Sequence, residues 1–156
     1  MSFTRWDLED NTMRAGTIRR ASSSDNKVWG EQSDVDLEYG VFCAVAEKGV
    51  TAIKSVNDVI HGIIVRDIYE NARKDRTVNV GHFSHGDSVV AQGVDGVTFK
   101  RGDKALVVCS GADAGKVTNK AGANTVDLGY WIEAVSGDCV AITLGYQVTA
   151  PTATGE

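Results

Sequence analysis

His85-Gly86-Asp87-Ser88-Val89-Val90, Arg101-Gly102-Asp103-Lys104-Ala105-Leu106-Val107-Val108 and Ser136-Gly137-Asp138-Cys139-Val140-Ala141-Ile142 repeat one phrase: a polar residue, Gly-Asp, a polar residue or cysteine, then an apolar run. Gly reaches positive φ without a Cβ clash, and Asp folds its side chain back onto nearby backbone, so Gly-Asp is turn chemistry. The runs that follow are short and rich in Val and Ile, which suits strands. In the last of them Val140, Ile142 and Leu144 share one face, the period-two mark of a half-buried strand. The phrase reads as a turn followed by a strand, and it predicts an all-β domain.

Working outward, the same logic finds further strands. Thr17 to Ala21 is a candidate first strand, followed by the loop Ser22 to Asn26 and the short apolar pair Val28-Trp29. Val41 to Ala46 is apolar on both faces, which predicts a strand covered on both sides. Glu47-Lys48-Gly49 turns the chain into Val50 to Ile53, a hairpin. Ile60 to Val65 is another buried run, and its Gly62 predicts a bulge or a close backbone approach. A meander follows: Thr77 to Val80, Ser88 to Gln92, an Asp95-Gly96 hairpin returning as Val97 to Phe99, then Lys104 to Cys109. Lys116 to Thr118 and Thr125 to Leu128 are weak strands, and Trp131 to Ala134 pairs with Cys139 to Leu144 as a last hairpin. No stretch sustains a helical period, and at most one short helix is expected, at residues 56–58 or 68–73. The expectation is a compact sandwich or small barrel of about ten to twelve short strands. Residues 1–15 read as an extended N-terminal arm, 16–145 as the β-domain and 146–156 as a C-terminal tail.

Composition narrows the function classes. The 156 residues suit one domain that needs neither disulfide nor metal to fold. A formal charge of −5 argues against a nucleic-acid surface, which needs clustered Lys and Arg. The densest basic stretch, Arg66 to Arg76, is broken by Asp67, Glu70 and Asp75 and reads as a solvated loop. No run approaches the ~18 apolar residues of a membrane span. Residues 1–10 lack the apolar stretch of a secretory leader, which predicts a chain made and kept in a cytosol until assembly. Cys43, Cys109 and Cys139 lie beside apolar runs and read as reduced, buried thiols.

Reactive constellations are sparse. His82, His85 and Asp87 form the most metal-like cluster, but two His three apart in a strand point to opposite faces, and the reading is a loop ending in a turn. Arg101-Gly102-Asp103 matches an integrin-binding tripeptide and reads as a plain turn. There is no nucleophile elbow around Ser84 or Ser88 and no phosphate-cradling glycine loop, so neither a catalytic residue, nor a metal ligand, nor a cofactor is assigned, and the chain is read as a non-enzyme. Trp131 and Trp29 read as core anchors. Phe3, Trp6, Leu8 and Met13 stand in the polar arm and are the candidate partner or subunit contacts, since interfaces favour large aromatic anchors, with packing on the chain's own domain as the alternative.

The order of segments resembles the capsid decoration, or structural cement, proteins of tailed bacteriophages. The resemblance rests on Gly16-Thr17-Ile18-Arg19-Arg20, Tyr39-Gly40-Val41-Phe42, Gly49-Val50, Gly62-Ile63-Ile64-Val65-Arg66 with a polar loop around Tyr69, and the closing Ser136 to Leu144, and it spans roughly Gly16 to Leu144. It implies a virion protein without a catalytic site, located on the outer capsid surface. Its partners would be the major capsid protein and further copies of itself in a symmetric dimer or trimer, with no nucleic acid and no membrane. It would bridge neighbouring major capsid subunits of the mature shell against the outward push of packaged DNA. The competing readings are another virion β-module (tail, baseplate or host-glycan recognition) and a small metal-binding β-barrel enzyme built on His82, His85 and Asp87.

Overall fold

The computed structural model describes residues 13–21, 27–67 and 72–145. They form two antiparallel sheets, with no helix among the described residues. The strands in chain order are β1 (Ile18–Arg20), β2 (Val28–Gln32), β3 (Phe42–Ala46), β4 (Gly49–Ala52), β5 (Ile60–Val65), β6 (Thr77–Gly81), β7 (Ser88–Gln92), β8 (Lys104–Val108), β9 (Val117–Thr118), β10 (Thr125–Ser136) and β11 (Cys139–Leu144). One sheet has the order β1-β7-β11-β10-β8-β9, the other β2-β6-β5-β3-β4. The all-β fold expected from the Gly-Asp phrases is what the chain builds, and of the two architectures expected, sandwich or small barrel, it takes the sandwich.

The phrases themselves divide into two kinds. In Ser84 to Asp87 and Lys100 to Asp103 the Asp N–H donates to the carbonyl three residues back, at 3.0 and 3.1 Å. The Asp carboxylate accepts the N–H of that same residue, at 2.9 Å in both. Gly86 and Gly102 take φ of 85° and 93° at the third position, as a type II turn requires. The third phrase is a two-residue hairpin loop: Ser136 pairs with Cys139, and Gly137 carries the positive φ of 59° at the first central position.

Both sheets curl. Beyond β2, Ser33 forms a parallel bridge to Val50 of β4, and beyond β7, Gly93 forms one to Val117 of β9. Two cores result. Phe42, Ala44 and Ile63 of the five-stranded sheet pack against Val89, Ala105, Val107, Tyr130, Ile132, Val140 and Ile142 of the other. Phe42 meets Tyr130 edge-on at 5.7 Å. On the other face of the five-stranded sheet, Cys43, Val50, Ile64, Val78 and Val80 are covered by Leu37, Tyr39 and Ala72. The Val41 to Ala46 run is apolar throughout because β3 serves both cores.

The two sheets are joined at one corner by two glycines. Gly16 donates to Val90 O (2.7 Å) on β7 and accepts from Arg66 N (2.9 Å) just past β5. Gly40 donates to Ile64 O (2.8 Å) and accepts from Gln92 N (2.9 Å), spanning the same two strands. Their φ values are 81° and 77°, and a Cβ on Gly16 would sit 2.8 Å from Arg66 N. The joint admits no side chain at that position.

Edge strand β1 is pinned by charge. Glu133 of β10 accepts from Ser88 Oγ at 2.7 Å, Thr143 Oγ1 at 2.9 Å and Arg20 Nη1 at 3.0 Å, with Arg19 Nη1 at 3.7 Å. Burial alone would raise its pKa, but the Ser88, Arg20 and Thr143 hydrogen bonds outweigh burial and bring it to about 2.

Some sequence expectations are corrected. Val97 to Phe99 is not a strand: Asp95-Gly96 closes a local turn (Val97 N to Val94 O, 3.3 Å), and β7 pairs with β1 and β11 instead. Residues 125–136 form one long strand rather than two, with a bulge at Leu128-Gly129 where Asp127 faces Leu106 and Tyr130 faces Ala105. Trp131 is half-buried on the outward face, and its neighbours Tyr130 and Ile132 take the core positions. Trp29 is 48% exposed. The helix candidate at 56–58 is a turn, and most of the one at 68–73 lies outside the described residues.

Two outcomes are expected. Gly16→Ala combines a left-handed φ with a backbone clash and should cost roughly 3 kcal/mol, lowering Tm by about 6–12 °C. Gly102→Ala, with φ of 93° but nothing within 4 Å, should cost only about 1 kcal/mol; thermal melts of both variants check this. Because Glu133 is depressed from 4.5 to about 2, its contribution is complete above the unfolded value and is lost as pH falls toward 2. Glu133→Gln should therefore lower stability by about 2–3 kcal/mol at neutral pH and remove that part of the acid dependence, read by denaturant titrations across pH.

Candidate functional site

The strand order brings together three rings that the sequence keeps far apart. Trp29 and Glu31 of β2 lie opposite Val80 and Val78 of β6, so they face the same side as the second core. His82 follows Val80 by two positions and shares that face, its N–H continuing the ladder to Lys27 O at 2.7 Å. His61 is the extra residue of a bulge in β5: Gly62 faces Cys43 and Ile60 faces Ala44 of β3. Gly62 thus marks both a bulge and a close approach, since a Cβ there would lie 2.5 Å from Gly81 O.

The rings are in contact. Trp29 lies on His82 with centroids 4.1 Å apart and 34° between planes, and meets His61 edge-on at 5.9 Å. The imidazoles are 4.8 Å apart. His61 Nε2 is 3.2 Å from Glu31 Oε1, whereas His82 Nε2 is buried without a hydrogen-bond partner. Burial and the neighbouring His61 hold His82 below the ordinary imidazole pKa, with Glu31 pulling the other way. Beside them a cleft of about 220 Å³ opens between the sheets, walled by Phe42, Ile60, Phe83, Leu128, Tyr130 and Leu144. Val59 (69% exposed) and Val45 (50%) are joined by a Val45 N to Val59 O bond of 2.8 Å at the same end of the sheet. Trp29 and this pair make that end an exposed apolar rim.

The sequence candidates are distributed differently from their spacing. His82 joins His61 and Trp29, while Asp87 is buried and pairs with Lys27 Nζ at 3.4 Å. His85 stays on the exposed turn between them. No group of three or more His, Cys, Asp or Glu converges to hold a metal among the described residues. Asp103 is engaged by Asn119 Nδ2 (2.8 Å) and the Lys100 amide, which lower its pKa, so Arg101-Gly102-Asp103 is a turn with its carboxylate internally bound. All three cysteines are free thiols. Cys43 and Cys109 are buried and Cys139 is half-buried, and burial pushes Cys43 up to about 12. Of the arm contacts, Met13 is half-buried in a turn, and Phe3, Trp6 and Leu8 lie outside the described residues. The ring cluster was not found from sequence. His61-Gly62 and Gly81-His82 each pair an imidazole with a glycine near a strand end, but only the β2-β6-β5 order joins them to Trp29.

Comparison with known proteins places this architecture. The chain aligns with one from the solved capsid of Myoviridae phage XM1 at 16% identity and a TM-score of 0.65, over 93% of this chain and 98% of that one, a likeness of fold. No curated protein matches it. Residues 3–144 match the family model described as XM1 gp53 minor capsid protein. With that match covering most of its length, this chain belongs to the XM1 gp53 minor capsid protein family, a capsid-associated phage protein with a structural role in the virion.

Proposed function

We propose that this protein is a decoration, or cement, protein. It binds the outer surface of the mature shell and, as a symmetric homo-oligomer, bridges neighbouring major capsid subunits against the pressure of packaged DNA. The observation that carries this reading is the family match over residues 3–144, which includes the polar arm with Phe3, Trp6, Leu8 and Met13 as well as the folded domain. A clip that engages several subunits at once gains avidity from repetition, so no single contact has to be strong. The glycine joint between the sheets supports such a role, because a bridge under tension must not shear between its own layers. The net charge of −5 favours a protein that stays off the viral genome. The role requires no reaction.

Co-sedimentation with mature, undecorated capsids tests the proposal: purified protein should pellet with expanded shells and bind precursor shells weakly. Failure to pellet with mature shells while binding tail components or host glycans would replace this reading. Deleting residues 2–14 should weaken attachment and leave the melting transition of the β-domain in place. Trp6→Ala should weaken attachment roughly tenfold or more if the arm anchors the contact.

A further inference from the structure

We infer that the Trp29–His61–His82 cluster is a proton-operated release for β2. When both imidazoles are protonated they repel, Trp29 lifts from His82, and edge strand Val28–Gln32 loosens while the rest of the domain stays folded. The geometry carries this. The two rings are 4.8 Å apart, and the indole closes over one of them at 4.1 Å. His82 Nε2 is buried and unpartnered. A neutral imidazole can leave a lone pair there, but a protonated one would bury an unpaired N–H cation.

Among the described residues, the surrounding charges compensate only in part. Glu31, from β2, is the carboxylate at the cluster, and its contact is with His61. From β3, Cys43 presents a buried thiol held against Gly62 O at 3.5 Å, and it stays neutral. Just before β2, the Lys27 ammonium is matched by the Asp87 carboxylate at 3.4 Å, so the pair adds little net charge. His85 stands on the exposed turn beyond His82. Stacking on Trp29 would favour a protonated His82, a single weak contact set against the repulsion and the buried N–H. The sign follows from linkage. His82 is held below its ordinary pKa, chiefly by burial and then by His61, so its contribution to the closed state is complete above the ordinary imidazole range and declines as pH falls through it. β2 is the element placed to respond: among the described residues it is an edge strand that pairs along its length with β6 alone, with the Ser33–Val50 bridge just beyond it. Its release would extend the exposed apolar rim into the second core, uncovering Val78 and Val80. A capsid protein would thereby acquire an acid-responsive surface, independent of where the domain sits on the shell.

Hydrogen–deuterium exchange on the full-length protein, corrected for intrinsic rates, tests this. From about pH 7.5 to about pH 5, protection of residues 28–32 should fall roughly tenfold or more while β10 and β11 keep theirs. His61→Gln removes the second charge and should keep β2 protected at the lower pH. Unchanged β2 protection in the parent, or an equal fall in His61→Gln, overturns the inference. Should that variant not fold, the parent alone decides: loss confined to β2 supports the release, and loss spread over the domain overturns it.

Discussion

The contact of β5 with β7 through Gly16 and Gly40 holds the two layers in one registration. The two glycines contribute four backbone bonds, from 2.7 to 2.9 Å, between the layers, and Phe42 N to Gly115 O at 2.8 Å adds one between β3 and the β8–β9 connection. Side-chain packing tolerates small slides, but backbone bonds at a fixed corner do not. The same corner is reinforced from outside. Gln92 Nε2 donates to Tyr39 O at 2.8 Å, Arg66 Nε donates to Ala15 O at 3.1 Å, and the Arg66 guanidinium lies 4.8 Å from the Tyr39 ring centroid. Tyr39 in turn donates to Asp67 at 2.6 Å; burial, then this bond, push its pKa up to about 12, so it remains a donor.

Everything else hangs on the order that this corner imposes. With the layers registered, β3 lies between two cores, and its apolar residues have somewhere to go on both faces. The curl of each sheet then brings Ser33 to Val50 and Gly93 to Val117, reducing the exposed edge available for unwanted strand pairing. Charged groups are used locally to hold what packing alone leaves loose. Glu133 gathers β1, β7 and β11, and Lys27–Asp87 pins the turn before β7 to the start of β2.

For a capsid-associated protein this division makes physical sense. The joint between the layers is made of backbone hydrogen bonds, which do not titrate. The imidazoles of His61 and His82 stand at the other end of the sheet, beside the edge strand β2.

How much of this could be read in the residues depends on the range over which each signal acts. Turns, short β-branched runs and the period-two face of Val140, Ile142 and Leu144 are local, and they determined an all-β chain with most of its strands in place; Ile60–Val65, Ser88–Gln92 and Cys139–Leu144 begin and end where their patterns do. The order of segments, read as a whole, also pointed to a phage capsid protein. Which strands neighbour one another was not legible, because hydrogen-bonded ladders are made by backbone that every residue carries alike. Local pattern therefore assigns Trp131 to the core that Tyr130 and Ile132 occupy, and groups His82 with its sequence neighbour His85 instead of His61. Tertiary structure alone decided that Gly16 and Gly40 meet at one corner and that two distant imidazoles share one tryptophan, since both depend on contacts between segments whose separation along the chain carries no record of their distance in space.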